Sequence, residues 1–147
     1  MLKTRVSARW ECARYALDGI FHQRYIPAMP WDVEYTDEFG QWWDTLPEDV
    51  QESIAHDIGI LEAVGPGLGR PQVDTVKGSR HSNMKELRTQ HDGEPYRTFF
   101  AFDPRRCAIL LIGGNKTGDK RFYDRLVPRA DSLYDEHLAQ MKREGLI

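Results

Sequence analysis

Met84-Lys85-Glu86-Leu87-Arg88-Thr89-Gln90, Tyr96-Arg97-Thr98-Phe99-Phe100-Ala101-Phe102 and Cys107-Ala108-Ile109-Leu110-Leu111-Ile112 follow one another with only short polar breaks between them. Their period of two in the first two runs is that of strands with one face against a core. The first break, His91-Asp92-Gly93-Glu94, contains the Asp-Gly pair that tolerates positive φ in a tight hairpin turn. The second, Asp103-Pro104-Arg105-Arg106, places proline where a type I turn wants a preset φ. The third run has no polar residue, so it is predicted to be a central strand covered on both faces.

Upstream the period changes. Val33 and Tyr35 alternate with Asp32 and Glu34, a short half-exposed strand. Thr36 or Asp37 then caps a helix carrying Phe39, Trp42, Trp43 and Leu46 at helical spacing. The two tryptophans read as core packing against the sheet. Pro47 ends that helix and opens a second, with Val50, Ile54, Ile58 and Leu61 on one stripe and Glu48, Asp49, Glu52 and Asp57 outside it. Gly65-Pro66-Gly67 stops it. Downstream, residues 119–126 predict a short helix. A last helix opens at Pro128, carries Leu133, Leu138 and Met141 and stops at Gly145. The class is α+β: two N-terminal helices packed on a small, mainly antiparallel sheet, with a C-terminal helix. Residues 29–147 form this domain. Residues 1–28 show no clean period beyond a short helix around Arg14, Tyr15, Leu17 and Phe21, and read as an extension, either flexible or a start-site artefact.

The 147 residues fit one domain, and 40% hydrophobic with 29% charged residues is ordinary for a globular chain. No apolar run approaches the roughly 18 residues of a membrane span. Glu11, Arg14, Asp18 and Arg24 interrupt any secretory apolar segment. A cytoplasmic protein with no membrane partner is expected. Cys12 and Cys107 lie far apart, and the apolar run around Cys107 predicts a buried free thiol. The net charge of −3 conceals a steep division: residues 30–69 hold ten acidic and no basic side chains, and residues 70–129 thirteen basic and seven acidic. Either one face meets a polyanion while another repels it, or an acidic helical layer neutralises a basic sheet.

Chemistry is sought first in the hairpin. Its turn sets a register that puts Arg88 directly opposite Arg97, and like charges so placed cost up to ~1 kcal/mol. The offset is either a neighbouring carboxylate such as Glu86 or a bound anion held by the planar guanidinium forks. The run Gly113-Gly114-Asn115-Lys116-Thr117-Gly118-Asp119-Lys120-Arg121 follows the central strand but lacks the spacing of a nucleotide phosphate loop. Lys116, Lys120 and Arg121 are either backbone-phosphate contacts, with Tyr123 as a stacking ring or phenol, or solvated charges flanking a core Phe122. His22, His56, His81, His91 and His137 show no paired metal-ligand spacing, and neither metal nor cofactor is expected. His81, in the donor-rich loop Lys77-Gly78-Ser79-Arg80-His81-Ser82, is a candidate general base, against the plainer reading of an exposed loop histidine; His91 is expected to be exposed at the hairpin tip.

Lys77-Gly78, Met84-Lys85-Glu86-Leu87-Arg88, Tyr96-Arg97-Thr98-Phe99-Phe100 and the apolar strand leading to Lys116, in that order and behind a sharp turn at Leu46-Pro47-Glu48, resemble the HigB-like branch of the RelE/ParE toxin superfamily. The likeness covers residues 30–140. It implies the toxin of a type II toxin–antitoxin system, neutralised by an antitoxin with a helix-turn-helix domain and cleaving mRNA on the ribosome without metal. By position, Arg97 matches the arginine that holds the scissile phosphate and Arg88 a basic residue beside it. Lys116 falls near the second basic position and Tyr123 near the C-terminal aromatic. Tyr123 or His81 would then transfer the proton, with Lys77, Lys85, Lys116, Lys120 and Arg121 along the RNA. Glu86 and Leu87 depart from the pattern, standing where RelE-like enzymes carry lysines. Two other functions share the likeness: a non-enzymatic ParE-like toxin that binds gyrase, and a degenerate binding protein of phage origin. The acidic 30–69 block, through Glu48, Asp49 and Glu52, further suggests either a surface that keeps RNA on the opposite side or a dock for a basic antitoxin segment.

Overall fold

The computed structural model describes residues 30–147; the readings of residues 1–28, with Cys12 and His22, lie outside the described residues. Strand β1 (Val33–Tyr35) leads into helix α1 (Asp37–Asp44) through Thr36. The Thr36 side-chain oxygen accepts from the Phe39 amide at 3.1 Å and its hydroxyl donates to the Leu111 carbonyl at 2.6 Å, so one side chain caps the helix and pins it to the sheet. Helix α2 (Glu48–Val64) starts directly after Pro47 and ends in a short 3₁₀ turn, Gly65–Gly67. Then come β2 (Val73–Thr75), β3 (Lys85–His91), β4 (Glu94–Phe102), β5 (Ala108–Asn115) and α3 (Phe122–Arg143). The five-stranded sheet runs β1-β5-β4-β3-β2, with β1 parallel to β5 and the other pairs antiparallel.

The hairpin forms in the expected register, Arg88 opposite Arg97. Asp92 and Gly93 take φ of 49° and 77°, the paired positive values of the tightest hairpin turn. At the next corner the Arg106 amide donates to the Asp103 carbonyl at 2.7 Å, closing the turn that Pro104 begins.

Strand β5 is covered on both sides. On one face Phe39, Trp43, Val50, Ile54, Ile58 and Leu61 of α1 and α2 meet Leu87, Phe100 and Leu110. On the other, Phe122, Val127, Ala130, Leu133 and Tyr134 of α3 meet Phe99, Ile109 and Leu111. Cys107 is a buried free thiol, and burial pushes it up to about 12.

Two sequence expectations need correction. Strand β2 was not foreseen: three residues behind a glycine- and proline-rich stretch carry too little pattern to announce a strand, and edge pairing with β3 makes it one. The two C-terminal helices are a single helix of 22 residues with Pro128 inside it. Proline within a helix costs ~3 kcal/mol, but buried residues before it (Phe122, Val127) and after it (Ala130, Leu133, Tyr134) share one core. Their burial holds the helix through the proline.

Candidate functional site

Strand parity divides the hairpin's side chains between the two faces of the sheet. Leu87, Tyr96 and Phe100 pack with α1 and α2, which leaves Glu86, Arg88 and Arg97 on the α3 side with Phe99. Tyr123, in the first turn of α3, packs edge-on against Phe99 and brings its hydroxyl over the same strands.

Glu86 lies at the centre of this group and is only 4% exposed. Its Oε1 accepts from Arg88 Nε at 3.3 Å and from the Tyr123 hydroxyl at 3.2 Å, and stands 3.8 Å from Arg97 Nε. Arg97 donates from Nη1 to the Tyr96 carbonyl at 3.0 Å. Arg88 also reaches Asp74 of β2 at 3.7 Å, a carboxylate that Arg70 holds at 2.9 Å. The Lys116 ammonium lies 5.2 Å from the centre of the Tyr123 ring, on which it is favourably placed as a cation over a π face. Glu86 and Asp74 thus face Arg88, Arg97, Arg70 and Lys116, and the cluster keeps an excess of positive charge. Both offsets weighed for the opposed arginines bear on the site: the internal carboxylate is present, and it is outnumbered.

Exposure separates the arginines. Arg97 is 8% exposed as a residue, whereas the Arg88 side chain is 34% exposed. Arg88 and Lys116 offer the reachable charge, with Arg97 beneath them. Glu86 Oε2 and Arg97 Nε are buried with no hydrogen-bond partner among the described residues. Burial raises the Tyr123 phenol above its ordinary value, and its hydrogen bond to Glu86 adds to this, so it keeps its proton at neutral pH.

The remaining residues singled out in the sequence lie elsewhere or stay solvated. Lys77, Lys120 and Arg121 are exposed. Lys85 belongs to the opposite face, opposed to Phe100, and its ammonium donates to the Pro66 carbonyl at 3.2 Å. His81 is bound to Asp135 at 2.7 Å and packs edge-on against Tyr134. Those residues follow Tyr123 by eleven and twelve positions in α3, roughly 17 Å along a helix, so His81 is remote from the Glu86 cluster. Neither histidine expected to be exposed is free in solvent. His91 is 17% exposed at its side chain, bonded through Nδ1 to Ser53 at 2.7 Å and through Nε2 to Asp49 at 3.1 Å, which ties the hairpin tip to α2. Asp49, His91 and Asp92 bring three possible ligand atoms within 4.8 Å of one another, a grouping that sequence spacing did not disclose.

Sequence reasoning missed several anchors. Buried Asp131 accepts from Ser79 and, at 3.0 Å, from the Arg80 amide, fixing the Lys77–Ser82 loop on α3. Asp131 and Asp135, four apart on one helix, were the available signal. A second group joins buried Glu34, Asp103 and His137 to partly buried Arg105, with His137 Nε2 2.8 Å from Asp103 and Arg105 Nη2 2.8 Å from Glu34. Residues far apart in sequence leave no local trace of such a group.

Comparison with known proteins adds a family. The model described as phage-derived protein Gp49-like matches residues 41–135, which include every member of the Glu86 cluster. The chain belongs to the Gp49-like family. This Gp49-like chain is also 46% identical over 113 residues to the Mycobacterium tuberculosis protein bearing the toxin name HigB2, covering 76% of the chain and 55% of that protein. It is 48% identical over 100 residues to the one bearing the toxin name HigB3, covering 67% of the chain and 86% of that protein. The Gp49-like chain therefore spans little more than half the length of the HigB2 relative. The HigB-like resemblance read from the Glu-Leu-Arg and Tyr-Arg strands is borne out by these relatives.

Proposed function

We propose that the protein is the toxin of a type II toxin–antitoxin pair, acting as a metal-independent endoribonuclease on mRNA in the translating ribosome. The observation that carries this reading is the convergence of Arg88, Arg97, Lys116 and Tyr123 around one end of the sheet, in a chain related to proteins bearing HigB toxin names. The ribose 2′-hydroxyl attacks the adjacent phosphorus, the bond to the 5′ oxygen breaks, and a 2′,3′-cyclic phosphate and a 5′-hydroxyl result. Charge developing on the phosphate oxygens is met by Arg88 and Arg97. Lys116 and the exposed Lys120 and Arg121 meet the flanking backbone. The ribosome positions the strand, which compensates for a sparsely equipped site. The partner is a small antitoxin with a helix-turn-helix domain. The described part has no helix long and apolar enough to cross a membrane.

A second reading has one observation in its favour. Arg97 is largely buried and lies beside Glu86, as in a scaffold that binds a protein target such as gyrase, or another partner, without cutting RNA. Primer extension on mRNA during in vitro translation separates the two. The native protein is expected to give discrete stops that Arg97→Ala abolishes with its fold intact. Growth arrest that survives Arg97→Ala, with no stops from the native protein, would favour the binding toxin.

A further inference from the structure

We propose that Glu86 is the proton acceptor of a Tyr123–Glu86 relay that activates the ribose 2′-hydroxyl; this rests on the RNA-cleavage reading. Glu86 is only 4% exposed, so its carboxylate is reached mainly through its neighbours. Of the groups bonded to Oε1, the half-buried Tyr123 hydroxyl, which donates to it, is the one that can both give and take a proton.

Electrostatics supply a trigger. The groups facing Glu86 are Arg88 on its own strand, Arg97 on β4 and Tyr123 on α3, with Asp74 of β2 behind Arg88 and Lys116 over the Tyr123 ring. In the resting state two guanidiniums lie against Glu86 Oε1, Arg88 Nε at 3.3 Å and Arg97 Nε at 3.8 Å. A phosphodiester arriving at Arg88 and Arg97 competes with Glu86 for both guanidiniums and leaves Oε1 open to the Tyr123 proton. Glu86 Oε2 and Arg97 Nε lack a hydrogen-bond partner among the described residues, so the hydrogen bonding of this network is incomplete as it stands.

The step balances. The 2′-hydroxyl proton passes to the Tyr123 oxygen as Tyr123's own proton passes to Glu86 Oε1. The 2′ oxygen's electron pair forms the bond to phosphorus. The pair of the breaking P–O bond goes to the 5′ oxygen, which takes a proton from the Lys116 ammonium. Glu86 later returns its proton through Tyr123 to water, and Lys116 is reprotonated from water.

The test is single-turnover cleavage on programmed ribosomes by the full chain, by Glu86→Gln, by Tyr123→Phe and by the double variant, across a pH series, with ribosome binding measured in parallel. Each single variant is expected to cut about 100-fold more slowly, the scale of a lost general base, with ribosome binding unchanged. The double variant should be no slower than the slower single one, because the two act as a unit. Glu86→Gln should also lose the acid limb of the pH profile. A Glu86→Gln protein that cuts at the native rate, or keeps the acid limb, overturns the relay and leaves the nuclease reading standing. Multiplicative losses in the double variant overturn it too. Absence of cutting by the native chain overturns both. If Glu86→Gln fails to fold, Tyr123→Phe, which retains the carboxylate and both arginines, decides by the same rate criterion.

Discussion

Gly113 of β5 faces Trp42 of α1 so closely that a Cβ built there would stand 2.2 Å from the indole ring, while a Cβ on Gly114 would meet Phe122 of α3 at 2.8 Å. The glycine pair that superficially suggests a phosphate loop is instead where aromatic rings from both helical layers press on the central strand. Gly113→Ala should therefore destabilise the fold by about 1–3 kcal/mol, as overpacking does, read as a lower midpoint in urea unfolding. Asp103 makes a second prediction at this scale. Burial pushes its carboxyl up, but hydrogen bonds from His137 and Arg105 outweigh that and leave it lowered. A lowered folded-state value means that its contribution is present above the unfolded carboxylate's range and is lost as pH falls through the folded value. Native stability should thus fall more steeply in acid than that of Asp103→Asn, measured by urea unfolding along a series below about pH 6. The same steepness in both would show that Asp103 does not carry the linkage. Among individual residues, Arg88 and Arg97 were legible as a pair because an Asp-Gly turn fixes register. The burial of Glu86 beneath them was not, since it depends on where α3 lands.

Helices α1 and α2 carry most of the acidic block, and α2 presents its first turn, Glu48 and Asp49, to solvent. Part of that block is spent internally: Glu34 holds Arg105, Glu38 lies 3.5 Å from Arg129, and Asp49 holds His91. Glu48 and Glu52 remain the better probes of an antitoxin dock, since changing Asp49 would also loosen the hairpin tip. Reversing both to lysine should weaken antitoxin affinity, and the loss should shrink as salt is raised. Unchanged affinity in a titration calorimeter would exclude docking on this face. Element boundaries were legible where capping and turn chemistry is local, as at Thr36, Pro47 and Asp92-Gly93. They were not legible at Pro128, where a local breaker is overruled by buried residues on both sides.

The whole molecule has a net charge of −3 and a site in which one of the two opposed arginines, Arg97, is largely covered. Such a protein is poorly equipped to capture RNA unaided. Naked mRNA is accordingly expected to be cut at least ~100-fold more slowly than mRNA on the ribosome, compared by primer extension at equal protein concentration. Equal rates would remove the ribosome from the proposed function. The alternating strands, the helical stripes, the hairpin register and the family likeness are all properties of neighbours in the chain, and the sequence by itself determined them. Packing alone decided that α3 runs unbroken across the sheet, that Tyr123 reaches Glu86, that His81 is drawn away to Asp135, and that Lys85 serves the opposite face. Those outcomes depend on burial and on contacts between distant segments, energies that no local pattern encodes.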